Sequence, residues 1–115
     1  MDREQTARGN HRSGVNCALS VFSAFADTMG LTPREAAAAA PRPRGEGGQC
    51  GAFLAGRDVL RRLKPEAVAA YEQRYIALNG TTACVRLAPP EGVPVKPCND
   101  YVGDAACLAE EALRE

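Results

Sequence analysis

The sequence predicts an all-α fold: a small bundle of four longer helices plus one or two short ones, joined by irregular Gly/Pro-rich loops. Three observations carry this. Apolar residues recur at steps of three and four in successive windows. Capping residues open those windows, and glycine or proline closes them. No hairpin dipeptide and no convincing alternating strand is found; the stretch Val93 to Val95 is too short and too rich in proline for one.

Residues 1–12 are charged and without apolar period, which predicts a flexible N-terminal arm ahead of a single helical domain over residues 13–115. Ser13 is the expected cap of a first helix from Gly14 to Met29, with Val15, Leu19, Phe22, Ala26 and Met29 on one stripe and Gly30 as its left-handed terminator. Thr32, Pro33 and Glu35 are a helix start, the alanines 36–40 carry that short helix onward, and Pro41 and Pro43 stop it. A third helix is expected at roughly Gly51 to Leu63. Ala52, Gly56, Val59 and Leu63 share a face there, and Phe53 and Leu60 lie beside it. Glycine inside a helix costs about 1 kcal/mol relative to alanine, so Gly56 implies a close helix contact or a cofactor. Pro65 can begin a fourth helix with Val68, Tyr71, Tyr75 and Leu78 as its stripe, ended by Asn79 and Gly80. Thr81 or Thr82 caps a short turn through residues 83–87, and residues 89–97 are irregular. Asn99 or Asp100 caps a last helix lined by Val102, Ala105, Ala109 and Ala112.

Composition narrows the function. Fourteen Lys and Arg balance fourteen Asp and Glu, so the basic surplus of a nonspecific nucleic-acid binder is missing. With 45% hydrophobic residues and no net charge, the chain is not of the disordered class. No apolar run reaches the about 18 residues of a membrane span, and the polar start predicts no secretory leader. The expectation is a cytoplasmic protein. A chain of 115 residues buries limited surface alone, so a homodimer is also an expectation.

Against that ordinary background stand five cysteines: Cys17, Cys50, Cys84, Cys98 and Cys107. A reducing compartment disfavours static disulfides and leaves metal ligands, redox thiols or core residues. There is no Cys-x-x-Cys pair. Position within elements says more than spacing: Cys17, Cys50, Cys84 and Cys98 are all expected near helix N-termini. Unpaired N–H groups and the dipole favour a thiolate there, the form that attacks disulfides and binds metals. Cys50 has the strongest case, with Arg42, Arg44 and Arg57 near in sequence. Gly47, Gly48 and Gly51, with Gly56 a turn on, are the backbone candidates for N–H groups toward sulfur or a cofactor. The plainer reading of any cysteine is a small buried hydrophobe, and mid-helix Cys107 suits it. The segment around Cys50 lacks the Gly-Lys-Ser/Thr ending of a phosphate loop.

The residues just named resemble a known pattern. It runs through Gly14-Val15-Asn16-Cys17-Ala18, through Gly47-Gly48-Gln49-Cys50-Gly51-Ala52 with Gly56, then Cys84. It ends in Pro97-Cys98-Asn99-Asp100-Tyr101-Val102 with Asp104 and Ala105. In order and spacing this resembles the C_GCAxxG_C_C family of redox-active proteins, over about Ser13 to Leu113. The central motif departs from the family form: Gln49 precedes Cys50, Gly51 separates Cys50 from Ala52, and three residues lie between Ala52 and Gly56. The resemblance implies a small helical protein with four associated thiols, Cys17, Cys50, Cys84 and Cys98, and a redox role.

The remaining candidates are weaker. His11, the sole histidine, falls in the arm and reads as solvated; this excludes Cys–His or Ser–His–Asp catalysis unless the arm folds back onto the core. Glu110, Glu111 and Glu115 read as a solvated face, as do Arg61, Arg62 and Lys64. Tyr71 and Tyr75 read as core or interface. Two functional expectations follow. In the first, the four thiols meet at one end of the bundle and either cycle between dithiol and disulfide or hold an iron–sulfur cluster or metal ion. The partner would be a redox protein or a small thiol, and the lack of a closely spaced ligand pair tilts this toward disulfide exchange. In the second, the chain is a helical adaptor whose cysteines are structural.

Overall fold

The computed structural model describes residues 2–42, 48–82 and 97–114 of the chain. Within these residues the fold is all-α, with no strand. The helices are α1 (Arg3–Arg12), α2 (Cys17–Ala24), α3 (Ala26–Met29), α4 (Pro33–Ala39), α5 (Gly51–Leu63), α6 (Val68–Asn79) and α7 (Cys98–Arg114), with a 3-10 turn, Pro65–Ala67, leading into α6.

Two expectations at the N-terminus are corrected. Residues 3–12 are not a flexible arm but a helix lying against α7 and α2. Its start is capped by the Asp2 carboxylate, which accepts from Gln5 N at 2.8 Å. Ala7 is its one fully buried side chain, so no apolar stripe is needed. Arginines hold it instead. Arg3 Nη1 donates to Ala24 O (2.8 Å) and Asp27 Oδ1 (2.7 Å), and its guanidinium lies 5.5 Å from the Phe25 ring centre. Arg8 pairs with Glu4 (2.9 Å) and Asp100 (2.7 Å). Burial opposes the Arg8 charge, but Asp100 and Glu4 outweigh it and hold the guanidinium above its ordinary range.

The expected first helix, Gly14 to Met29, is two shorter ones. Gly14 has φ +98°, outside the helical region, and the cap is Asn16 rather than Ser13: its side chain accepts from Leu19 N at 2.8 Å. Phe25, at φ −111°, divides α2 from α3. Downstream the local rules hold. Gly30 ends α3 in the left-handed region. Thr32 and Glu35 close a reciprocal capping box, with Glu35 Oε1 accepting from Thr32 N at 3.0 Å and Thr32 Oγ1 accepting from Glu35 N at 3.2 Å. Gly80 ends α6 in the left-handed region. The expected turn at 83–87 and irregular stretch at 89–97 fall outside the described residues, apart from Pro97.

α5 is the hub, packed against α2, α6 and α7. All six aromatic residues of the chain are buried: Phe22, Phe25, Phe53, Tyr71, Tyr75 and Tyr101. Alanines fill the spaces between, including Ala18, Ala52, Ala55, Ala105 and Ala109, and let the helix axes approach closely. Lys64 Nζ, just past the end of α5, donates to Ala112 O near the end of α7 at 3.0 Å, so these two helices run in the same direction. α6 runs opposite to α5, because its earlier tyrosine, Tyr71, reaches Phe53 while the later one, Tyr75, reaches back to Cys50. Leu78, expected on the buried stripe of α6, is 56% exposed.

Candidate functional site

Three of the candidate cysteines open helices. Cys17 is the first residue of α2, Cys50 is the N-cap of α5, and Cys98 is the first residue of α7. Because α5 and α7 are parallel, Cys50 and Cys98 lie toward the same end of the bundle. Their environments differ: Cys98 is exposed, Cys17 is half-buried against the core, and Cys50 is buried within it. All three stand as thiols, and the described residues contain no group of three or more Cys, His, Asp or Glu arranged to hold a metal ion. Cys17, Cys50 and Cys98 therefore share helix starts without sharing one coordination centre. Cys84 and Gly47 fall outside the described residues.

The surroundings of Cys50 are the most developed. The residue takes φ −59° and ψ 129°, and its Sγ makes no capping bond to the first N–H groups of α5. The expectation that helix-end N–H groups hold this sulfur is thus replaced by a side-chain contact. Tyr75 Oη donates to Cys50 Sγ at 3.5 Å, a normal length for a bond to sulfur. Tyr75 is wholly buried, and burial, followed by the adjacent Cys50 sulfur, keeps its hydroxyl protonated far above the ordinary phenol range. Asp104, on α7, faces the same hydroxyl and adds to that effect. Tyr71, also wholly buried, is pushed the same way, first by burial and then by Cys50. One turn beyond Tyr75 on the same face, the buried Asn79 Nδ2 has no acceptor among the described residues.

The backbone of Cys50 joins two chain segments. Cys50 N donates to Thr82 O at 2.6 Å, and Gln49 Nε2 donates to Thr82 Oγ1 at 3.1 Å. The end of the Gly/Pro-rich loop is thereby stitched to the chain just past α6. Gly48, at φ +71°, makes the turn into this pairing. Gly51 is buried at the first position of α5.

Gly56 has a different explanation from a cofactor. A Cβ there would run into the Tyr71 hydroxyl and come 2.7 Å from Tyr71 Cζ. The space beside Gly56 is filled by α6, which is the close helix contact. Arg57 is 9% exposed and turned to its neighbour Asp58, with Nη2 to Oδ1 at 3.2 Å. Arg42 is exposed, and Arg44 lies outside the described residues.

Two further residues depart from expectation. Cys107 is only half-buried; it donates to Glu111 Oε1 at 3.7 Å, and burial together with Glu111 and Glu4 pushes its thiol up to about 11. His11 is not a solvated arm residue. α1 folds back, and His11 Nδ1 sits 3.2 Å from Asn99 Nδ2, beside the start of α7. Reasoning from sequence placed Tyr75 in the core and missed its hydroxyl as a partner of sulfur. The signal was present in part: Tyr71 and Tyr75 are four apart, and Cys50 and Phe53 are three apart, matching spacings on two antiparallel helices.

No family model, curated protein or solved structure matches the chain. No helix among the described residues is long and apolar enough to cross a membrane.

Proposed function

We propose that this chain is a redox-active protein of the cytoplasm that works by thiol–disulfide exchange, with Cys50 as the reacting thiol. The observation that carries the reading is the buried hydrogen bond from Tyr75 Oη to Cys50 Sγ. A hydroxyl placed in the core with sulfur as its acceptor is better satisfied by a thiolate than by a thiol, because hydrogen bonds to charged acceptors are roughly twice as strong. The second sulfur of the proposal is Cys84, one of the four cysteines of the pattern. Cys84 follows Thr82 by two residues, and Thr82 O is bonded to Cys50 N. Cys84 is therefore the candidate resolving thiol of this proposal. Cys17 and Cys98, the other cysteines of the family-like pattern, are candidates for passing the disulfide on.

In the exchange, the Cys50 thiolate attacks a disulfide of a small thiol or a partner protein. A mixed disulfide forms, and one substrate sulfur leaves as a thiolate that takes a proton from water. The Cys84 thiolate then attacks Cys50 Sγ, closing a Cys50–Cys84 disulfide and releasing the second substrate thiol. Two electrons pass from the protein dithiol to the substrate disulfide, and a dithiol of the partner restores them. The metal-holding form of the reading asks for several sulfurs about one centre. Among the described residues there is no such group, and Cys17, Cys50 and Cys98 are not joined by disulfides.

A second reading has its own support: Cys50 is buried in the apolar core and Cys17 packs half-buried against it, as in a helical adaptor with structural cysteines. One experiment separates the readings. The protein is purified without oxygen, assayed for iron and zinc, treated with oxidised glutathione, and its thiols are counted and mapped by peptide mass spectrometry. Loss of two thiols with a linked Cys50–Cys84 peptide, reversed by a reducing dithiol, supports exchange. Bound iron or zinc with protected cysteines moves the reading to a metal centre. Five unreactive thiols overturn both in favour of the adaptor.

A further inference from the structure

We infer that Tyr75 is the positioning residue for the Cys50 thiolate, fixing the reactive sulfur through a hydrogen bond delivered from inside the core. This rests on Cys50 as the reacting thiol and deepens that reading. The geometry is specific. Tyr75 Oη is wholly buried, and Cys50 Sγ is its partner at 3.5 Å. The ring cannot swing away, because it packs against Phe53 at 5.1 Å and Tyr71 at 6.4 Å between centroids. Sγ makes no capping bond to the α5 backbone, so the donor to sulfur comes from α6. A neutral thiol is a weak acceptor and leaves a buried hydroxyl poorly satisfied; a thiolate satisfies it fully. Burial and the nearby sulfur both keep the proton on the hydroxyl, so it stays a donor throughout the range in which thiols titrate.

Other ionisable groups face the same region and define the background. They are Tyr71 on α6, Arg57 and Asp58 on α5, and Asp104 on α7. On α2, Cys17 is the only titratable residue. Arg57 and Asp58 act in opposite directions on the Tyr71 hydroxyl, and Asp104 acts on that of Tyr75. None of these is removed with the Tyr75 hydroxyl, so the effect of that one atom can be isolated.

The test is the rate of Cys50 alkylation by iodoacetamide as a function of pH, followed on the peptide that carries Cys50, in the full chain and in Tyr75→Phe. Losing the hydrogen bond to the charged sulfur slows Cys50 alkylation at neutral pH by about tenfold, because thiolate alone reacts and a hydrogen bond to a charged acceptor is a strong one. Tyr71→Phe is the control: its hydroxyl donates to Phe53 O at 2.8 Å and not to sulfur, so the Cys50 profile stays in place. Where Cys50 is too sheltered to alkylate, the ultraviolet absorbance of the thiolate, differenced against Cys50→Ser, reads the same titration. Coincident profiles for Tyr75→Phe and the unaltered chain, with both folded by circular dichroism, overturn the inference. The thiol count after oxidised glutathione tests the exchange reading separately. A shifted Cys50 profile without any disulfide would leave Tyr75 as the donor and remove the redox role.

Discussion

Replacing Gly56 with alanine is the most direct test of how α5 and α6 meet. In an exposed helix this change stabilises by about 1 kcal/mol. Here the new methyl group would collide with the Tyr71 hydroxyl and lie 2.7 Å and 3.1 Å from two further ring atoms. A flexible side chain would yield, but Tyr71 is wholly buried, bonded to Phe53 O at 2.8 Å and stacked on the Phe53 ring at 5.4 Å. Overpacking of this kind costs about 1–3 kcal/mol. Breaking the Tyr71–Phe53 bond and stranding a buried hydroxyl costs about 1–3 kcal/mol more. Taking about 2 kcal/mol for each and subtracting the propensity gain leaves a net loss of about 3 kcal/mol. For a domain of this length, that lowers the melting temperature by about 10 °C. Thermal melting by circular dichroism measures it. The double variant Gly56→Ala/Tyr71→Phe removes the worst collision and should recover part of the loss, a non-additivity that marks direct contact. A Gly56→Ala protein that melts at or above the unaltered chain would refute the packing argument.

Three other outcomes follow from the same physical accounting. Gly103→Ala also meets a side chain, the Arg8 guanidinium, but Arg8 keeps 22% of its side chain exposed and has solvent to move into. The melting temperature should change by no more than about 2 °C, while amide exchange in α1 speeds up as the Arg8–Asp100 pair is displaced. Asn16→Ala removes the cap of α2 and should cost about 1 kcal/mol, or about 4 °C in melting, whereas Ser13→Ala, which leaves that cap intact, should cost less. Cys107, with its thiol pushed up to about 11, should alkylate slowest of the partly exposed cysteines at neutral pH and accelerate with each pH unit toward that value. The folded protein binds this proton more tightly than the unfolded chain. The associated stability is therefore fully present below about pH 9 and lost as pH rises toward 11, which denaturant unfolding across that range would register.

What was legible in the sequence was local. The span Gly51–Leu63 of α5, the Thr32 capping box and the stop at Gly30 all follow from residues within a few positions of one another. What was hidden is carried by side chains that reach far along the chain. α1 has no apolar period because it is held by Arg3 to Asp27 and by Arg8 to Asp100, contacts invisible in any short window. The false continuity of Gly14 to Met29 arose because Val15, Leu19, Phe22, Ala26 and Met29 keep helical spacing across Phe25, where the chain divides α2 from α3. At the candidate site, sequence identified the thiols and their helix starts, because both depend on local rules. It did not give the direction in which each sulfur points. That depends on which helix lies opposite, and for Cys50 the opposing group is a tyrosine 25 residues away.

Gly56 and Cys50 are coupled through that opposing helix. α6 touches α5 at two levels one turn apart: Tyr71 against Gly56 and Phe53, and Tyr75 against Cys50. A single α-helix carries both tyrosines, so their rise is fixed at about 1.5 Å per residue. An added group that holds the α6 backbone away from α5 at Tyr71 therefore also holds it away at Tyr75. A glycine at position 56 lets α6 settle close enough for the second hydroxyl to reach sulfur. The alanine variant should therefore lose more than stability. By holding α6 away from α5, it should lengthen the Tyr75–Cys50 contact and move the Cys50 alkylation profile in the same direction as Tyr75→Phe, at temperatures where the variant remains folded. A Cys50 profile unmoved by an alanine that clearly destabilises the helix pair would show that the two contacts are independent, and that the close approach at Gly56 serves packing alone.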